Sequence, residues 1–250
     1  MDIKLLSYNI RFSGAGREKL IAGLIRTLSP DLVVFQEATN PSVIKRISEE
    51  TEMNFLAARE DHSIAYISRI KIEHQEWHHP IGSKHAFMEI VPSGIDLRIF
   101  GLHLKARFSK WSERRRAQEI RLLLEGIKSH QNGFHILVGD FNTLAPGELL
   151  DVRRMPAWIR VLVWLSGRDI QRETIRHMLE AGYTDIYRHL NPENKGYTFP
   201  TWDPHLRLDY AFTPSRYTNL ITSCISVNYL NEARSASDHF PLLVQIKIDG

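Results

Sequence analysis

The fold is set by a strand-type stretch in the middle of the chain, His135-Ile136-Leu137-Val138-Gly139-Asp140-Phe141-Asn142. Its apolar, partly β-branched run is typical of a short strand that is buried on both faces. Directly after that run come a glycine, the carboxylate of Asp140 and the amide of Asn142. Because a sheet holds the groups at its strand ends rigidly, this arrangement predicts a functional site.

Helices and strands are predicted on both sides of this stretch. Apolar residues at helical spacing predict helices over residues 17–28, 41–52, 109–128, 156–165 and 172–179. Short apolar or alternating runs predict strands over residues 3–10, 32–35, 63–68, 86–91, 97–104, 208–212, 221–229 and 242–248. Since hairpins and β–α–β steps alternate throughout, we expect an α/β fold with sheets packed on each other and helices outside.

Several other predicted strands also end at a residue that can bind a metal or a phosphate. The complete set of strand-end residues is Asn9, Glu37, His103, Asp140, Asn142, Asp209, Asp238 and His239. Each has an ordinary structural alternative, such as a turn residue, a core histidine, a salt bridge or an Asx-type turn. Taken together, they predict an active site that is assembled from the whole length of the chain.

The residue types in this set indicate metal-assisted chemistry on phosphorus. Carboxylates and carboxamides supply the oxygen ligands that a hard cation such as Mg²⁺ prefers. Histidines beside acids can transfer protons or stabilise charge near neutral pH. The sequence has no cysteine pair for a structural zinc site, no Walker-type loop and no Gly-x-Ser-x-Gly elbow. The pattern therefore favours attack of water on a phosphate ester.

Composition is that of an ordinary folded protein. The 250 residues carry a formal net charge of +3 and a sequence pI near 9.0. This mild basicity suits an anionic substrate but falls short of a dedicated nucleic-acid binder. Cys224 is the single cysteine, which excludes an intramolecular disulfide. Since no repeat or flexible linker interrupts the chain, we expect residues 1–250 to form one catalytic domain.

Nothing in the hydropathy predicts a membrane protein. The N-terminal residues run straight into a strand and lack the apolar region of a secretory signal. The longest apolar stretch, Ala157 to Leu165, is interrupted by Arg160 and falls well below the roughly 20 residues that a spanning helix needs. We therefore expect no stable membrane insertion and a cytoplasmic location.

Six sequence blocks, in their order along the chain, resemble the endonuclease/exonuclease/phosphatase superfamily. Gly-Asp-Phe-Asn and Ser-Asp-His are the most specific of them. The blocks are Leu6-Ser7-Tyr8-Asn9-Ile10, Phe35-Gln36-Glu37, Gly101-Leu102-His103-Leu104, Gly139-Asp140-Phe141-Asn142-Thr143, Arg207-Leu208-Asp209-Tyr210 and Ser237-Asp238-His239-Phe240-Pro241. The resemblance implies a four-layer αββα sandwich, in which two mixed sheets pack face to face between outer helices.

The resemblance also implies Mg²⁺ or Mn²⁺ as cofactor and an in-line displacement without a covalent enzyme intermediate. Glu37 would be the main metal ligand, with Asn9 and Asp238 assisting. Asp140 would activate or orient the attacking water, and Asn142 would hold the phosphate. Of the remaining residues, His239 would stabilise the transition state or transfer a proton, Asp209 would orient His239, and His103 would contact the phosphate or assist the leaving group.

Two departures from the resemblance concern the substrate side of the site. Abasic-site endonucleases carry an acid two places after the strand-end asparagine, whereas this chain has Arg11, a cation that can meet a substrate phosphate. Deoxyribonuclease-type members pair their counterpart of His103 with a glutamate on a neighbouring strand. The comparable stretch here, Lys84-His85-Ala86, has no acid, so the partner of His103 is open.

Three further segments bear on substrate choice. Residues 151–169 combine Trp158 and Trp164 with arginines, which suits either a packed helix or a lid that faces an interface. We expect one of these tryptophans to pack and the other to be exposed. Trp202, in the segment 196–203, is a candidate for stacking on a base. The run of three arginines at residues 114–116 is expected on a solvated helix face.

The sequence thus predicts a metal-dependent hydrolase of a phosphate ester. A nuclease-like phosphodiesterase, with nucleic acid as its partner, is the first hypothesis. A phospholipid or small-molecule phosphodiesterase or phosphatase is the alternative, which the apolar stretch at residues 157–165 favours. A non-catalytic binding protein is disfavoured because every block retains its reactive residue.

Overall fold

Two six-stranded sheets form the centre of the fold. The computed structural model describes residues 2–155, 157–165 and 172–248, without the side chains of Trp158, Ile159, Leu162 and Leu165. The first sheet has the order β11 (Ile221–Ser226), β12 (Leu242–Lys247), β1 (Asp2–Asn9), β2 (Leu32–Gln36), β4 (Ile64–Ser68), β3 (Phe55–Ala57). The second has the order β5 (Ile72–His78), β6 (Phe87–Pro92), β7 (Arg98–His103), β8 (His135–Asp140), β10 (Asp209–Pro214), β9 (Tyr183–Asp185).

Both sheets are mixed. β1 is parallel to β2 in the first sheet, and β7 is parallel to β8 in the second. The described neighbours of these strands pair antiparallel. The predicted strand over residues 221–229 is shorter than expected, because β11 ends at Ser226 and α7 follows after a short loop.

The main apolar core lies between the two sheets. It joins residues of the first sheet such as Leu5 and Val34 with residues of the second such as Ile99 and Val138. The sheets approach closely at Gly101, where an added Cβ would lie 2.7 Å from a methyl carbon of Val34. Because this contact requires a residue without a side chain, the glycine that precedes Leu102-His103 has a packing reason.

Helices cover the outer face of each sheet. On the first sheet lie α1 (Glu18–Leu28), α2 (Pro41–Thr51) and α7 (Asn231–Ala236), which share a buried cluster with β1, β2 and β4. On the second lie α3 (Lys110–Gly126) and α5 (Glu173–Glu180). The expected four-layer sandwich is therefore confirmed. Two further helices, α4 (Ala157–Leu165) and α6 (Ile186–Leu190), complete the α-helices of the described residues.

Local signals set several helix boundaries. α2 begins after Asn40, whose side chain accepts a hydrogen bond from the Ser42 N–H at 3.0 Å, with Pro41 in the first turn. α3 begins after Ser109, which caps the Ser112 N–H in the same way. Among the described residues, no helix is long and apolar enough to cross a membrane.

The expectation of a solvated face at residues 114–116 is wrong for Arg116. Arg114 is exposed and Arg115 half-buried, but Arg116 is 0% exposed. Its guanidinium binds the buried carboxylate of Glu113 at 2.8 Å and donates to two backbone carbonyls of the loop that follows β7. Three consecutive helical residues point in different directions, so one of them faces the body and needs an internal partner.

Candidate active site

Three of the predicted site residues form a row across the second sheet. His103 at the end of β7 pairs in register with Asp140 at the end of the parallel strand β8. Asp209 at the start of β10 pairs with Asp140 from the other side, because β10 is antiparallel to β8. The strand register thus places an imidazole and two carboxylates side by side at one edge of the sheet.

The first sheet supplies Asn9 and Glu37 to the same place. Asn9 ends β1, and Glu37 follows β2 in the left-handed region with φ 57°. The Asn9 side-chain amide donates to Glu37 Oε1 at 3.3 Å and to Asp140 Oδ2 at 3.0 Å. Because Asn9 is 1% exposed, its amide joins the two sheets at the base of the site.

Asp140 and Asn142 form a tight turn after β8. The backbone N–H of Asn142 donates to Asp140 Oδ1 at 2.9 Å, and its side-chain amide donates to Asp140 Oδ2 at 2.9 Å. The expected Asx-type turn is therefore present, and it also fixes the orientation of the carboxylate. Burial raises the pKa of Asp140 above its ordinary value, while the nearby His239 charge opposes that rise.

His239 is held by a carboxylate on one ring nitrogen and faces another carboxylate with the other. Nδ1 lies 2.8 Å from Asp209 Oδ2, and Nε2 lies 3.9 Å from Asp140 Oδ2. Burial disfavours the charged imidazolium, but the carboxylates of Asp209 and Asp140 outweigh it and raise the pKa of His239. The arrangement fixes the tautomer and supports a cationic ring beside Asp140.

His103 differs from His239 in having no carboxylate at hydrogen-bond distance. Its Nε2 lies 3.8 Å from Asp140 Oδ2, and its Nδ1 is buried with no hydrogen-bond partner in the described part of the chain. Burial lowers the pKa of His103 to about 4, despite the opposing charge of Glu37. This histidine is therefore neutral near pH 7.

Asp238 and Arg11 form an ion pair at the mouth of the site. Arg11 Nε lies 3.3 Å from Asp238 Oδ2, and the Arg11 side chain is 43% exposed. The neighbouring Ser237 hydroxyl donates to the backbone carbonyl of Asn9 at 2.7 Å, which ties the Ser-Asp-His block to β1. Arg11 thus places a partly exposed cation beside Asp238.

The turn after β1 exposes an aromatic side chain that sequence reasoning missed. Arg11, Phe12 and Ser13 have positive φ angles of 45°, 48° and 60°, a conformation that costs non-glycine residues energy. The Phe12 N–H donates to Glu37 Oε2 at 2.7 Å, while its ring is 74% exposed. No periodicity or spacing in the sequence distinguishes Phe12 from a core residue.

Trp202 is also exposed near the site. Its side chain is 66% exposed, and its ring centroid lies 6.2 Å from that of Phe199, which in turn lies 4.8 Å from that of His239. The adjacent Thr201 N–H donates to the Asp238 backbone carbonyl at 2.9 Å. Trp202 is therefore one aromatic contact removed from the catalytic histidine candidate.

The donor set fits a hard divalent cation. Ligand atoms of Asp140, Asp209 and His239 all lie within 4.8 Å of one another. The hydrogen bond between Asp209 and His239 already occupies those two side chains, and Asp140 accepts hydrogen bonds on both of its oxygens. The half-buried Glu37 beside them is therefore the acid best able to face an ion. Oxygen ligands of this kind suit Mg²⁺ or Mn²⁺ better than softer metals.

The structure brings all ten predicted site residues to one region through the contacts above. For the segment 151–169 the outcome is partial. Trp164 is 60% exposed, as expected of one of the two tryptophans, whereas Trp158 lies outside the described side chains. Besides Phe12, sequence reasoning missed His85 and Glu119, which form a pair near His103.

A comparison with known families identifies the class of this protein. The model of the Endonuclease/Exonuclease/phosphatase family matches residues 6–239, which is nearly the whole chain. The chain belongs to this family, whose members act on phosphate esters. A search of curated proteins gives no significant match.

Solved structures with a similar fold include nucleic-acid enzymes. An AP endonuclease from Archaeoglobus fulgidus is 15% identical, with coverage of 97% and 98% of the two chains and a TM-score of 0.70. A 3′ phosphatase from Neisseria bound to a product DNA hairpin is 17% identical, with coverage of 99% and 100% and a TM-score of 0.72. D. rerio TDP2 complexed with a single-strand DNA product is 19% identical, with coverage of 98% of each chain and a TM-score of 0.66. At these identities the likeness concerns the fold.

Proposed function

We propose that this chain is a divalent-metal-dependent phosphodiesterase that cleaves nucleic acid by in-line attack of water. The observation that carries the proposal is the network of Asn9, Glu37, Asp140, Asp209 and His239 at the meeting edges of the two sheets. It combines acids for a hard cation with an oriented, positively charged histidine. On this proposal residues 1–250 act as one catalytic domain.

Glu37, Asn9 and Asp238 are the residues that would hold Mg²⁺ or Mn²⁺. When bound, such an ion polarises the phosphoryl oxygen and offsets the charge that develops on it. Asn9 connects this group to Asp140, so the ion and the attacking water would be positioned by one hydrogen-bonded unit.

The remaining residues act on the water and on the phosphate. Asp140 orients the attacking water and accepts its proton, a role that its burial-raised pKa supports. Asn142, whose side-chain amide donates to the Leu104 carbonyl and to Asp140 in the free protein, exchanges one of these acceptors for a phosphate oxygen. His239, held by Asp209, stabilises the negative charge of the transition state. The P–O bond to the leaving group breaks opposite the attacking oxygen, without a covalent enzyme intermediate.

Nucleic acid is proposed as substrate because a basic side chain and exposed aromatic side chains border the site. Arg11 supplies a partly exposed guanidinium for a phosphate. Phe12 and Trp202 supply exposed rings, and base–aromatic stacking contributes roughly 1–3 kcal/mol per base. The phospholipid alternative is favoured by one separate observation, the exposed apolar side chains of Val161 and Trp164 on α4.

A substrate panel tests the proposal. After exhaustive chelation the protein is assayed with Mg²⁺ or Mn²⁺ on plasmid DNA, single-stranded DNA, RNA, phospholipid vesicles and a chromogenic phosphodiester. We expect nucleic-acid cleavage that disappears on chelation and returns with either metal, because the donors are oxygen atoms. Full activity after chelation would contradict the metal dependence, and cleavage of vesicles alone would select the phospholipid alternative.

Metal binding is checked separately from activity. Calorimetric titration with Mn²⁺ is expected to show binding that Glu37→Gln weakens at least about tenfold, because the substitution removes a charged oxygen ligand. Glu49→Gln, at an exposed position on α2, is the matched control and is expected to bind Mn²⁺ normally. Equal binding by all three proteins would remove Glu37 from the metal site.

A further inference from the structure

The loop before β6 carries a second histidine within electrostatic range of His103. β6 and β7 pair antiparallel with Met88 opposite Gly101, Glu89 opposite Phe100 and Ile90 opposite Ile99. His85 lies in the loop that leads into β6, two residues before the strand begins at Phe87. After Glu37, the charge of His85 has the strongest electrostatic effect on His103, ahead of His239. His85 therefore lies within the electrostatic reach of the site.

His85 has the carboxylate partner that His103 lacks. Its Nδ1 lies 3.0 Å and 3.2 Å from the two carboxylate oxygens of Glu119 on α3. The Lys84 N–H also donates to Glu119 at 3.2 Å, and Arg115 Nε lies 3.5 Å from the same oxygen. Because Glu119 is 4% exposed, this is a buried acid that holds one histidine and its loop in place.

The orientation of the pair leaves the other ring nitrogen available. Nδ1 is bound to Glu119, Nε2 has no hydrogen-bond partner among the described residues, and the side chain is 31% exposed. His78 and Glu89 form the contrasting pair. There Nε2 itself lies 2.6 Å from the carboxylate, which Arg98 also binds, and the ring stacks on Phe87. In the His78 pair the carboxylate therefore binds Nε2, whereas in the His85 pair it binds Nδ1.

We propose that His85, oriented by Glu119, is the residue that protonates the leaving oxygen of the substrate. The inference rests on the proposed phosphodiesterase function. The sequence resemblance offered the role of assisting the leaving group to His103, and the proposal gives that role to His85. The reason is that the orienting carboxylate in this chain is Glu119 on helix α3, which binds His85. His103 remains a neutral ring that contacts the phosphate beside Asp140.

The step balances without any further reagent. The water oxygen forms a bond to phosphorus, and its proton passes to Asp140. The bond between phosphorus and the leaving oxygen breaks, and that oxygen takes the electron pair together with the Nε2 proton of a cationic His85. The neutral ring keeps its proton on Nδ1, which stays hydrogen-bonded to Glu119. Nε2 then takes a new proton from solvent, to which the side chain is partly exposed.

The test compares leaving groups. His85→Asn keeps a donor for Glu119 and removes Nε2. The variant is assayed on bis(p-nitrophenyl) phosphate, whose leaving group needs no proton, and on whichever alkyl diester the wild-type enzyme cleaves in the substrate panel. We expect a loss of about 10²-fold or more in kcat on the alkyl diester and little change on the aryl ester, because a general acid matters only for a poor leaving group. Glu119→Gln is expected to show the same selectivity in weaker form.

His78→Gln is the matched control, because it keeps the donor to Glu89 and is expected to leave both activities unchanged. Equal losses on the two esters in His85→Asn, with an unchanged circular dichroism spectrum, would indicate a structural role and overturn the proposal. The proposal would also be overturned if His103→Ala, and not His85→Asn, lost activity on the alkyl diester while keeping its activity on the aryl ester. A wild-type protein that cleaves no ester in the panel would refute the proposed function itself.

Discussion

Asp140 is the residue on which the candidate site converges. It accepts hydrogen bonds from Asn9 and from both the backbone and the side chain of Asn142, and it faces the imidazoles of His103 and His239. These donors leave its carboxylate a single orientation at 1% exposure. Such fixation is what a group needs if it is to act on one proton of one water molecule.

Substitutions at this centre are expected to impair turnover and leave the fold intact. Asp140→Asn removes the proton acceptor and His239→Ala removes the oriented cation, so each should lower kcat by at least about 10²-fold. Steady-state kinetics and circular dichroism measure the two effects. Asp61→Asn, in an exposed turn, is the control with unchanged kcat. Near-normal turnover of either site variant would show that its role is misassigned.

Gly139 determines whether Asp140 can reach the site at all. Its φ is 149°, and an added Cβ would lie 1.9 Å from the backbone oxygen of Leu102 in the parallel strand β7. The β7–β8 register, which places His103 beside Asp140, therefore depends on the absence of a side chain here.

Gly139→Ala is expected to lower the free energy of unfolding by about 3 kcal/mol or more, because the clash is with backbone that cannot move aside. Gly23→Ala is the matched control, since Gly23 lies inside α1 with nothing within 4 Å of its added Cβ. It should instead stabilise the protein by about 0.5–1 kcal/mol. Denaturant unfolding of both variants measures the difference, and equal stabilities would contradict the packing argument.

At the scale of elements, α3 organises the second-sheet side of the site. Its Glu113 accepts hydrogen bonds from the Thr143 hydroxyl at 2.7 Å and from the Thr174 N–H at 2.9 Å. Arg116, bound to the same carboxylate, holds the carbonyls of Lys105 and Arg107. The helix thus connects the loop after His103, the loop after Asn142 and the start of α5.

Arg116→Met is expected to lower the free energy of unfolding by about 3–5 kcal/mol, because it leaves Glu113 and two carbonyls buried without their cation. Arg114→Met, an exposed neighbour on the same helix, is the control and should change stability by less than about 0.5 kcal/mol. Urea unfolding followed by circular dichroism compares the two. A similar small effect in both would mean that water or local rearrangement satisfies Glu113.

Helix α4 presents an unusually apolar outer side. Ala157, Arg160, Val161 and Trp164 are exposed at helical spacing, whereas Val163 is buried in a cluster with Leu206 and Leu208, just before Asp209. A groove of ≈ 620 Å³ lies along these residues. Because α4 packs on Leu206 and Leu208, which directly precede the site residue Asp209, the outer side of α4 is a candidate surface for a large substrate.

Trp164→Ala is therefore expected to lower activity on a polymeric or vesicular substrate more than on a small chromogenic ester, because the lost contact is remote binding energy. Phe55→Ala is the control. Phe55 pairs with Ser68, which in turn pairs with Leu32 at the start of β2, whereas the candidate site lies beyond Gln36 at the other end of that strand. Loss of the Phe55 ring should therefore not distinguish the substrates. An equal decrease on both substrates in Trp164→Ala would make α4 a purely structural helix.

At the scale of the whole molecule, the candidate site lies where a buried polar contact joins the two sheets. Most of the interface between the sheets is apolar. Polar contacts also join β4 to β5, where Tyr66 donates to Gln75 and the Trp77 indole N–H donates to the Ile64 carbonyl at 3.1 Å. At the edge that carries the candidate site, Asn9 of the first sheet donates to Asp140 of the second. The relative position of the sheets therefore sets the geometry of the candidate site, which contains residues from both halves of the chain.

Much of this arrangement could be predicted from local sequence patterns. Apolar runs of strand length next to a polar residue identified β1, β2, β7 and β8, which that residue ends or follows, and β10, which begins at Asp209. Helical periodicity located α1 to α5 to within a few residues. These features depend on the chain period and on neighbours a few residues apart, which any single sequence contains.

What the sequence by itself determined is the set of reactive groups, their placement at strand ends and the α/β class of the fold. Only the tertiary structure decided which partner each group has. Asn9 and Asp140 lie 131 residues apart, Arg116 is buried where a solvated face was expected, and Glu119 on a helix holds His85 rather than a strand acid holding His103. Such pairings depend on sheet register and helix packing, and the free energy of burying a charge is settled by distant neighbours rather than by the local pattern.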